Sequence, residues 1–234
     1  MDTPDVITIH QPDFLPWLGF FHRWHQADLF IILDDVQFLR RGWHHRDKIL
    51  IQGKSHWLTV PVKKGEFHNN INEIKIINGN TWKIKHLNTI YSAYQKAPMF
   101  EKFFPAIERI YHSPCDGTLM GFNLLLLKSI GGILGISTPI KLSSSCGIQA
   151  KSSEKLLMLT NTVKGKNYLT GLGSKNYLDE ALFSANGIGV IWHNFIHPVY
   201  NQLYSPIFIP NLSILDILMN LPEKAVIDFL KKDL

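Results

Sequence analysis

The chain has 234 residues, of which 45% are hydrophobic and 12% aromatic, and it carries a formal net charge of +5. That apolar content is sufficient for a sizeable buried core and excludes a largely disordered chain. The basic residues are dispersed along the chain, which argues against a nucleic-acid interface. The same charges suit a small-molecule ligand that carries a phosphate or a carboxylate.

Cysteine usage and hydropathy bear on the cellular compartment. Cys115 and Cys146 stand alone without metal-binding spacing, as the reduced thiols of cytoplasmic proteins do. The first ten residues contain two acidic side chains and no apolar core of a signal peptide. The most apolar run, residues 122–136, is interrupted by Lys128 and is too short to cross a bilayer. We therefore expect a cytoplasmic protein without a membrane span.

The N-terminal part of the chain predicts a βαβ unit. Residues 5–10 and 29–33 are short runs of consecutive apolar side chains, typical of strands that are buried on both faces of a parallel sheet. Between them, apolar residues at helical spacing predict a helix over residues 16–27, with Pro16 at its first position. A strand, a helix and a second strand in this order form the parallel unit.

Residues 49–77 predict a β-rich insertion or an antiparallel edge. Two strand-like runs flank a turn, and Ile71, Ile74 and Ile76 predict a third strand. From residue 81 the apolar spacing becomes helical, and we expect a helical segment over residues 81–135. Its first helix should end at Pro98, with further helices over residues 100–111 and 117–134.

The last hundred residues again alternate between strands and helices. Strands are predicted over residues 139–144, 167–171 and 188–193, and helices from about residue 152 to 165, over 174–187 and over 212–220. This alternation favours one α/β domain over residues 1–234, with a mostly parallel, Rossmann-like three-layer arrangement. In such sheets, ligands bind beyond the carboxyl ends of the strands.

Four residues near those strand ends are the predicted catalytic groups. His10 follows the first strand, Asp34 and Asp35 follow the second, and His197 lies in a loop after the last strand. Imidazole and carboxylate groups are the usual general bases, and an unperturbed histidine titrates near neutrality. Structural alternatives stay open: His10 as a hydrogen-bonding turn residue, and the aspartates as a cap with only one of them facing the site.

A second set of side chains suits the binding of sugars, phosphates and carboxylates. Arginine offers a planar fork for oxyanions, and tryptophan offers a face for stacking. The predicted substrate-binding residues are Gln11, Gln37, Arg41, Trp43, Arg46, Tyr168, Tyr200 and Gln202.

No metal site is predicted from the histidines. His22 with His25 and His44 with His45 form pairs, but neither pair has a third ligand at a useful spacing, and zinc sites need three or four ligands. Adjacent carboxylates can hold Mg²⁺, so the cofactor stays open, with Mg²⁺ and a nucleotide as the candidates.

Two long motifs, HQPDFLPWLGFF at residues 10–21 and LDDVQF at residues 33–38, carry a family resemblance. Together with WLTVPV, YLTG and HPVYNQ in the same order, they resemble the WbqC-like family over about residues 7–220. The motif positions include His10, Gln11, Asp34, Asp35, Gln37, Arg41, Trp43, Arg46, Tyr168, His197, Tyr200 and Gln202. Asp13 and His45 depart from the family's pattern, in which asparagine is expected, and this departure implies a difference in specificity.

The resemblance implies a role in the biosynthesis of bacterial O-antigen, the outer part of lipopolysaccharide, or of other surface polysaccharides. It further implies a transferase that moves glycine or another aminoacyl group onto a sugar or nucleotide-sugar. The expected partners are therefore small molecules: the sugar derivative and an activated amino acid.

Two alternatives to the transferase stay open. One is nucleotidyltransferase-like activation of a carboxylate with ATP, although Trp17 and Phe20 stand at the histidine positions of the His-x-Gly-His signature. The other is a non-enzymatic binding or scaffold protein of the polysaccharide machinery.

Overall fold

A computed structural model describes residues 3–65 and 67–232. The ends of the predicted single domain, residues 1–2 and 233–234, and residue 66 of the β-rich insertion lie outside the described residues. Within the described ranges the chain is mixed α/β, with a five-stranded parallel sheet, a two-stranded antiparallel sheet and eight α-helices. The predicted fold class is confirmed.

In chain order, the strands are β1 (Val6–His10), β2 (Leu29–Ile32), β3 (Arg46–Ile51), β4 (Lys54–Thr59), β5 (Ile140–Leu142), β6 (Asn167–Gly171) and β7 (Gly189–His193). The helices are α1 (Leu18–His25), α2 (Thr81–Tyr94), α3 (Phe100–His112), α4 (Leu119–Ile133), α5 (Ser152–Thr162), α6 (Glu180–Ala185), α7 (Ile214–Asn220) and α8 (Glu223–Leu230).

The central sheet has the strand order β5-β2-β1-β6-β7, and all of its pairings are parallel. Its two faces are both covered, as the continuous apolar runs of β1 and β2 predict. Ile7 and Ile31 pack into one hydrophobic layer, and Phe30 and Ile32 pack into the other. Because the strands are parallel, their carboxyl ends lie along one edge of the sheet.

The two layers differ in size. Side chains of α5 and α6, among them Leu159 and Phe183, cover one face of the sheet. The other face carries the larger core, to which α1 to α4, α7 and α8 all contribute. This arrangement is the expected three-layer one. None of the helices in the described part of the chain has the length and apolarity that crossing a bilayer requires.

Helix α1 begins two residues later than predicted, at Leu18 rather than at Pro16. The reason is a tertiary contact: Trp17 has an extended backbone and forms a bridge with Ser213, and Ile214 donates its N–H to the Pro16 carbonyl at 3.0 Å. These contacts hold the chain extended up to the first helical residue.

The β-rich insertion contains the two strands β3 and β4, paired antiparallel, but the predicted third strand is wrong. Residues Ile71–Glu73 form a short 3-10 helix, because Glu73 accepts a hydrogen bond from the N–H of Asn70 at 2.8 Å. Only isolated bridges, such as Val62 with Ile76, continue the sheet-like pairing in the described part of this segment. The helices predicted within 81–135 are present as α2, α3 and α4.

The helix predicted over residues 174–187 is shorter than expected. Asp179 accepts a hydrogen bond from the N–H of Leu182 at 3.0 Å and so caps α6 at a later start. The preceding residues form a 3-10 turn, Leu172–Ser174, directly after β6. This turn brings small polar side chains to the carboxyl edge of the sheet.

Candidate functional site

A cavity of about 790 Å³ opens at the carboxyl ends of β1, β6 and β7. Its walls include Gln11, Phe20, Arg23, Thr170, Tyr177 and His193, and we call it the strand-end cavity. It lies where open parallel sheets bind their ligands, and its volume is within the range of small-molecule sites.

The turn between β1 and α1 shapes one wall of the strand-end cavity. The indole ring of Trp17 lies directly on Gly19, where a β-carbon would overlap the ring. Glycine is therefore required at this position by the close approach. The same turn holds the loop before β3, because Phe14 donates its N–H to the Trp43 carbonyl at 3.0 Å. As a result, Trp43 also borders the cavity.

Arg23 of α1 is the main charge in the strand-end cavity. Its side chain is buried, and a β-carbon at Gly171 would lie 2.8 Å from its Nη1 atom. Among the residues that the structure describes, no carboxylate forms an ion pair with Arg23. Burial lowers the pKa of Arg23, while the nearby Tyr168 and Asp13 act in the opposite direction. A buried guanidinium without a counter-charge is suited to bind an anionic ligand group.

Hydroxyl groups line the cavity next to Arg23. Thr170 Oγ1 donates to Ser174 Oγ at 3.0 Å, and Ser174 Oγ lies 2.8 Å from Tyr177 Oη. Tyr168 lies on the same wall, and burial raises its pKa to about 12. With Ser174 donating to Tyr177, the Tyr177 hydroxyl is free to donate a hydrogen bond to an oxygen of a phosphate or carboxylate held by Arg23.

His10 stands at the end of β1 as a neutral imidazole. Its Nδ1 lies 2.9 Å from the Gln11 carbonyl and 3.6 Å from Asp13 Oδ2. Because a carbonyl only accepts, Nδ1 carries the proton and Nε2 has the free lone pair. Burial lowers the pKa of His10 to about 4, and the charge of Arg23 adds to this effect. A free Nε2 on a neutral ring is what a general base requires.

A second histidine on the cavity wall, His193 at the end of β7, has a defined tautomer. His22 Nε2 lies 3.0 Å from the Lys232 carbonyl and must carry the proton there, so His22 Nδ1 accepts. His193 Nε2, 2.8 Å away, therefore donates to His22, and the lone pair of His193 is on Nδ1. Burial lowers the pKa of His193 to about 3, with Arg23 as the next cause. His193 thus adds a neutral hydrogen-bond acceptor to the cavity.

A second, smaller hollow of about 420 Å³ adjoins the strand-end cavity. It contains Asp13, His44, Asp47 and Asn211, and we call it the acidic pocket. Both spaces share His10, Gln11, Trp17 and Trp43, so the imidazole of His10 stands between them. Burial, together with the charge of Asp13, raises the pKa of Asp47 to about 8.

Asp34, a predicted catalytic residue, is held in internal hydrogen bonds. It is buried, and its carboxylate accepts from Ser144 N at 3.0 Å, from Ser144 Oγ at 2.6 Å and from Asn72 Nδ2 at 3.3 Å. The hydroxyl of Ser143 is also within 3.0 Å. The structure therefore places Asp34 as a connector between β2, the segment after β5 and the β-rich insertion.

Asp35, the second member of the pair, faces a buried lysine. Lys155 Nζ of α5 lies 2.8 Å from Asp35 Oδ2, and the Asp35 carboxylate also contacts the Ser143 hydroxyl. Lys155 borders the strand-end cavity, whereas Asp35 and the predicted binding residue Gln37 border a neighbouring groove of about 560 Å³. The pair thus stands on the wall between the two spaces.

The basic loop before β3 is turned away from the strand-end cavity, except for Trp43. Arg46 donates from Nη2 to the Arg41 carbonyl at 2.8 Å, and its guanidinium lies 4.2 Å from the ring centre of Trp57. Arg41 is exposed. Trp43 packs on Trp57 with 5.4 Å between the ring centres.

His197, Tyr200 and Gln202 form a packed support beneath the turn after β1. The ring of His197 stacks on Trp17 at 6.1 Å, and its Nδ1 lies 2.9 Å from the Pro198 carbonyl. Tyr200 and Gln202 both donate to the buried Asp216, at 2.8 and 2.9 Å. Burial raises the pKa of Asp216. These residues hold Trp17 in place and do not line the cavity.

Of the residues predicted from the sequence, four line the strand-end cavity: His10, Gln11, Trp43 and Tyr168. Eight do not: Asp34, Asp35, Gln37, Arg41, Arg46, His197, Tyr200 and Gln202. Among the described residues, no group of three His, Cys, Asp or Glu side chains is arranged to hold a metal ion.

The comparisons with known proteins agree with the motifs in this wall. Residues 11–228 match the WbqC-like protein family. The chain belongs to that family. It is also similar to a protein from Mycobacterium tuberculosis (strain ATCC 25618 / H37Rv) described as "Uncharacterized protein Rv1507c", with 33% identity over 221 residues. This alignment covers 94% of the present chain and 95% of the relative. No solved structure matches the chain.

Sequence reasoning missed several residues of this WbqC-like site. They are Arg23, Lys155, Tyr177 and His193 in the strand-end cavity, and Asp47 in the acidic pocket. One signal was present: His22 and Arg23 interrupt a helix whose other residues are mostly aromatic or apolar. A cation inside such a helix has to find either solvent or an anionic partner.

Proposed function

We propose that this WbqC-like protein is a group transferase of bacterial surface-polysaccharide biosynthesis, which moves glycine or another aminoacyl group onto a sugar or nucleotide-sugar. The observation that carries the proposal is one cavity in which a buried, unpaired Arg23 and a neutral His10 stand together. An anion-binding group and a general base are the two requirements for transfer to a nucleophile on a phosphorylated or carboxylated substrate.

Substrate binding begins with the anionic group. The phosphate or carboxylate lies against the Arg23 guanidinium and accepts a hydrogen bond from the hydroxyl of Tyr177 on the same wall. Lys155, oriented by Asp35 at 2.8 Å, adds a second positive charge at the cavity border. In this proposal Asp35 positions Lys155, whereas Arg23 contacts the substrate.

Proton transfer is assigned to His10. The acceptor's hydroxyl or amine attacks the acyl carbon of the donor, and its proton passes to the free Nε2 of His10. The bond between the acyl carbon and the leaving group breaks, the leaving group takes the electron pair, and the protonated His10 returns the proton to it. The Gln11 carbonyl holds the Nδ1 proton, and the carboxylate of Asp13, 3.6 Å from Nδ1, stabilises the positive charge while it lasts. Such base assistance contributes about 10²–10⁴-fold to the rate.

The direct test is product formation. The protein is incubated with nucleotide-sugars and sugar phosphates as acceptors and with activated glycine as donor, and the mixture is analysed by mass spectrometry. The expected result is an acceptor with the mass of one added glycyl group, absent from a sample with heat-denatured protein. No new product from any donor and acceptor combination would remove the transferase proposal.

A second candidate is the ATP-dependent activation of a carboxylate. The start of α1 on the wall of the strand-end cavity favours it, because the positive end of a helix dipole attracts phosphate groups. The missing histidines of the His-x-Gly-His signature count against it. This reaction would release pyrophosphate in a Mg²⁺-dependent manner when ATP and a carboxylic acid are supplied, and pyrophosphate assays distinguish it from direct transfer.

A further inference from the structure

We propose that the acidic pocket binds the primary ammonium group of a substrate, next to the anion held in the strand-end cavity. The proposal deepens the proposed function, on which it rests, because it names an amine as one of the reacting partners. It concerns the four titratable side chains that line this hollow: His10, Asp13, His44 and Asp47.

The pocket holds two carboxyl groups and has no cation of its own in the described part of the chain. Asp13 lies 3.6 Å from His10 Nδ1 and 3.5 Å from His44 Nδ1. Both distances are too long for a hydrogen bond. Asp47 forms no ion pair with a described residue, and Lys48, which follows it in β3, has its ammonium 5.0 Å from the ring centre of Trp57. Two carboxyl groups in one buried space oppose each other's ionisation.

A buried histidine in the same pocket lacks partners. His44 is 2% exposed, and neither of its ring nitrogens has a hydrogen-bond partner. Buried polar atoms in folded proteins are almost always paired, so an unpaired imidazole on a pocket wall indicates that a ligand supplies the partner. Its contact with Asp13 directs Nδ1 toward the acidic side of the pocket.

An ammonium group can pair with both carboxyl groups and with the lone pair of His44, in addition to the Lys48 N–H that Asp47 Oδ1 already accepts at 2.6 Å. It offers three N–H donors and a positive charge, so it can donate to both carboxylates and to an imidazole lone pair. Its charge lets Asp47 ionise next to Asp13, with release of the proton that Asp47 holds at neutral pH. The exposed face of Trp43 at the pocket border gives a further cation-binding surface. A hydroxyl or an acetamide would leave the carboxyl groups without a counter-charge.

The position of His10 connects this pocket to the reaction. Because His10 lines both spaces, an amine in the acidic pocket lies on one side of the imidazole and the anionic group at Arg23 on the other. An amine nucleophile has to lose a proton before it attacks, and His10 is the neutral base that both spaces share.

Isothermal titration calorimetry of the intact protein tests the proposal with four probes. Glucosamine and glycinamide carry a primary ammonium on a sugar and on an amino acid, and N-acetylglucosamine and glucose are the uncharged matches. We expect at least one amine to bind at least tenfold more tightly than both uncharged sugars. The preferred amine identifies whether the sugar or the amino acid occupies the pocket.

Variants locate the binding. Asp47→Asn keeps the shape and hydrogen-bonding capacity of a protonated carboxyl group but cannot ionise, and it should weaken amine binding at least tenfold. Asp228→Asn, which removes an exposed carboxylate of α8 far from the pocket, should leave the affinity unchanged. Binding of inorganic phosphate to both variants, as to the unmodified protein, shows that the strand-end cavity is intact.

Three results would overturn the inference. The first is that the amines bind no more tightly than the uncharged probes, or do not bind at millimolar concentration. The second is that Asp47→Asn leaves amine binding unchanged. The third is that a divalent cation binds in place of the amine. Failure of transfer with intact amine binding would remove the transferase and leave the pocket assignment. Transfer to hydroxyl acceptors alone, without amine binding, would keep the transferase and remove the pocket assignment.

Discussion

The first two strands of the central sheet end side by side, and two polar residues stand at or just beyond each end, where sequence reasoning treats them alike. At the end of β1 these are His10 and Gln11, and at the end of β2 they are Asp34 and Asp35. Leu33 donates its N–H to the His10 carbonyl at 2.8 Å, so the two ends are direct neighbours. The structure nevertheless places the β1 pair on the cavity wall and encloses the β2 pair in contacts with other residues.

The difference lies in how many hydrogen-bonding positions are already filled. Asp34 accepts from serine and asparagine groups of two other segments, and Asp35 is paired with Lys155. His10 has a free ring nitrogen, and the neighbouring Arg23 has no carboxylate partner among the described residues. Polar groups whose partners come from the protein itself hold the fold together, whereas groups without such partners are available to a substrate.

The largest effect expected from this comparison is on the β1 side. His10→Gln retains a polar side chain of similar size but removes the base, and the transfer rate should fall by about 10²–10⁴-fold. Thermal unfolding should change little, since His10 is only partly buried. Single-turnover kinetics measure the rate. An unchanged rate would mean that the proton goes elsewhere and would return His197 to consideration.

Arg23→Met should remove binding of the anionic substrate group. Loss of a buried charged partner costs about 2–5 kcal/mol, which corresponds to roughly 30-fold or more in affinity for the phosphorylated ligand. Calorimetry with a nucleotide-sugar gives the affinity. Arg41→Met, which alters an exposed arginine outside the cavity, is the control and should bind as the unmodified protein does. Equal losses in both variants would contradict the assignment of Arg23.

On the β2 side the expected effect is on stability. Asp34→Ala removes the acceptor for Ser144 and Asn72, and hydrogen bonds to a charged group contribute about 1.5–3 kcal/mol. The melting temperature should fall by roughly 3–12 °C, at 2–4 °C for each kcal/mol in a chain of this length. Ligand affinity, measured well below the melting temperature, should stay within twofold. A large loss of affinity without a loss of stability would show that the two strand ends do not differ as described.

The smallest expected effect is on the pH dependence of protein stability, through Asp47 of the acidic pocket. Because the pKa of Asp47 is raised from 3.8 to about 8 in the folded protein, the folded state holds its proton more tightly than the unfolded state does. The contribution of Asp47 to stability is therefore full below pH 3.8 and is lost as the pH rises toward 8. Asp47→Asn cannot ionise, so its melting temperature should equal that of the unmodified protein in acid and exceed it above pH 8. A difference in melting temperature between the two proteins that stays the same at all pH values would contradict this prediction.

Much of the fold can be predicted from the sequence because its signals are local. The strands β1 and β2 are mostly apolar runs, and the helical spacing of apolar residues in α2 and α3 indicates their form. The predicted strand at residues 71–76 is wrong because the contact between Asn70 and Glu73 closes a 3-10 turn, a capping signal that outweighs three isoleucines.

The site was less predictable, for a physical reason. Strand-end position identified His10 and Gln11, since parallel topology alone brings them to the sheet edge. Arg23 and Asp47 lie inside a helix and a strand, where the sequence shows only a charged residue, and their burial depends on segments far away in the chain. Whether a carboxylate is paired, as Asp35 is by Lys155 at a separation of 120 residues, has no local signal at all.

The close approach of Gly171 to Arg23 allows folding and ligand recognition to be separated genetically. With φ at −76° and ψ at 155°, the backbone at residue 171 is acceptable for any L-amino acid, so alanine introduces no backbone strain. Its methyl group would nonetheless occupy the place of Nη1, which can move because it is the far end of a flexible chain. In a saturation library, substitutions at residue 171 should therefore yield well-expressed protein with a uniform loss of function, largely independent of the volume of the new side chain.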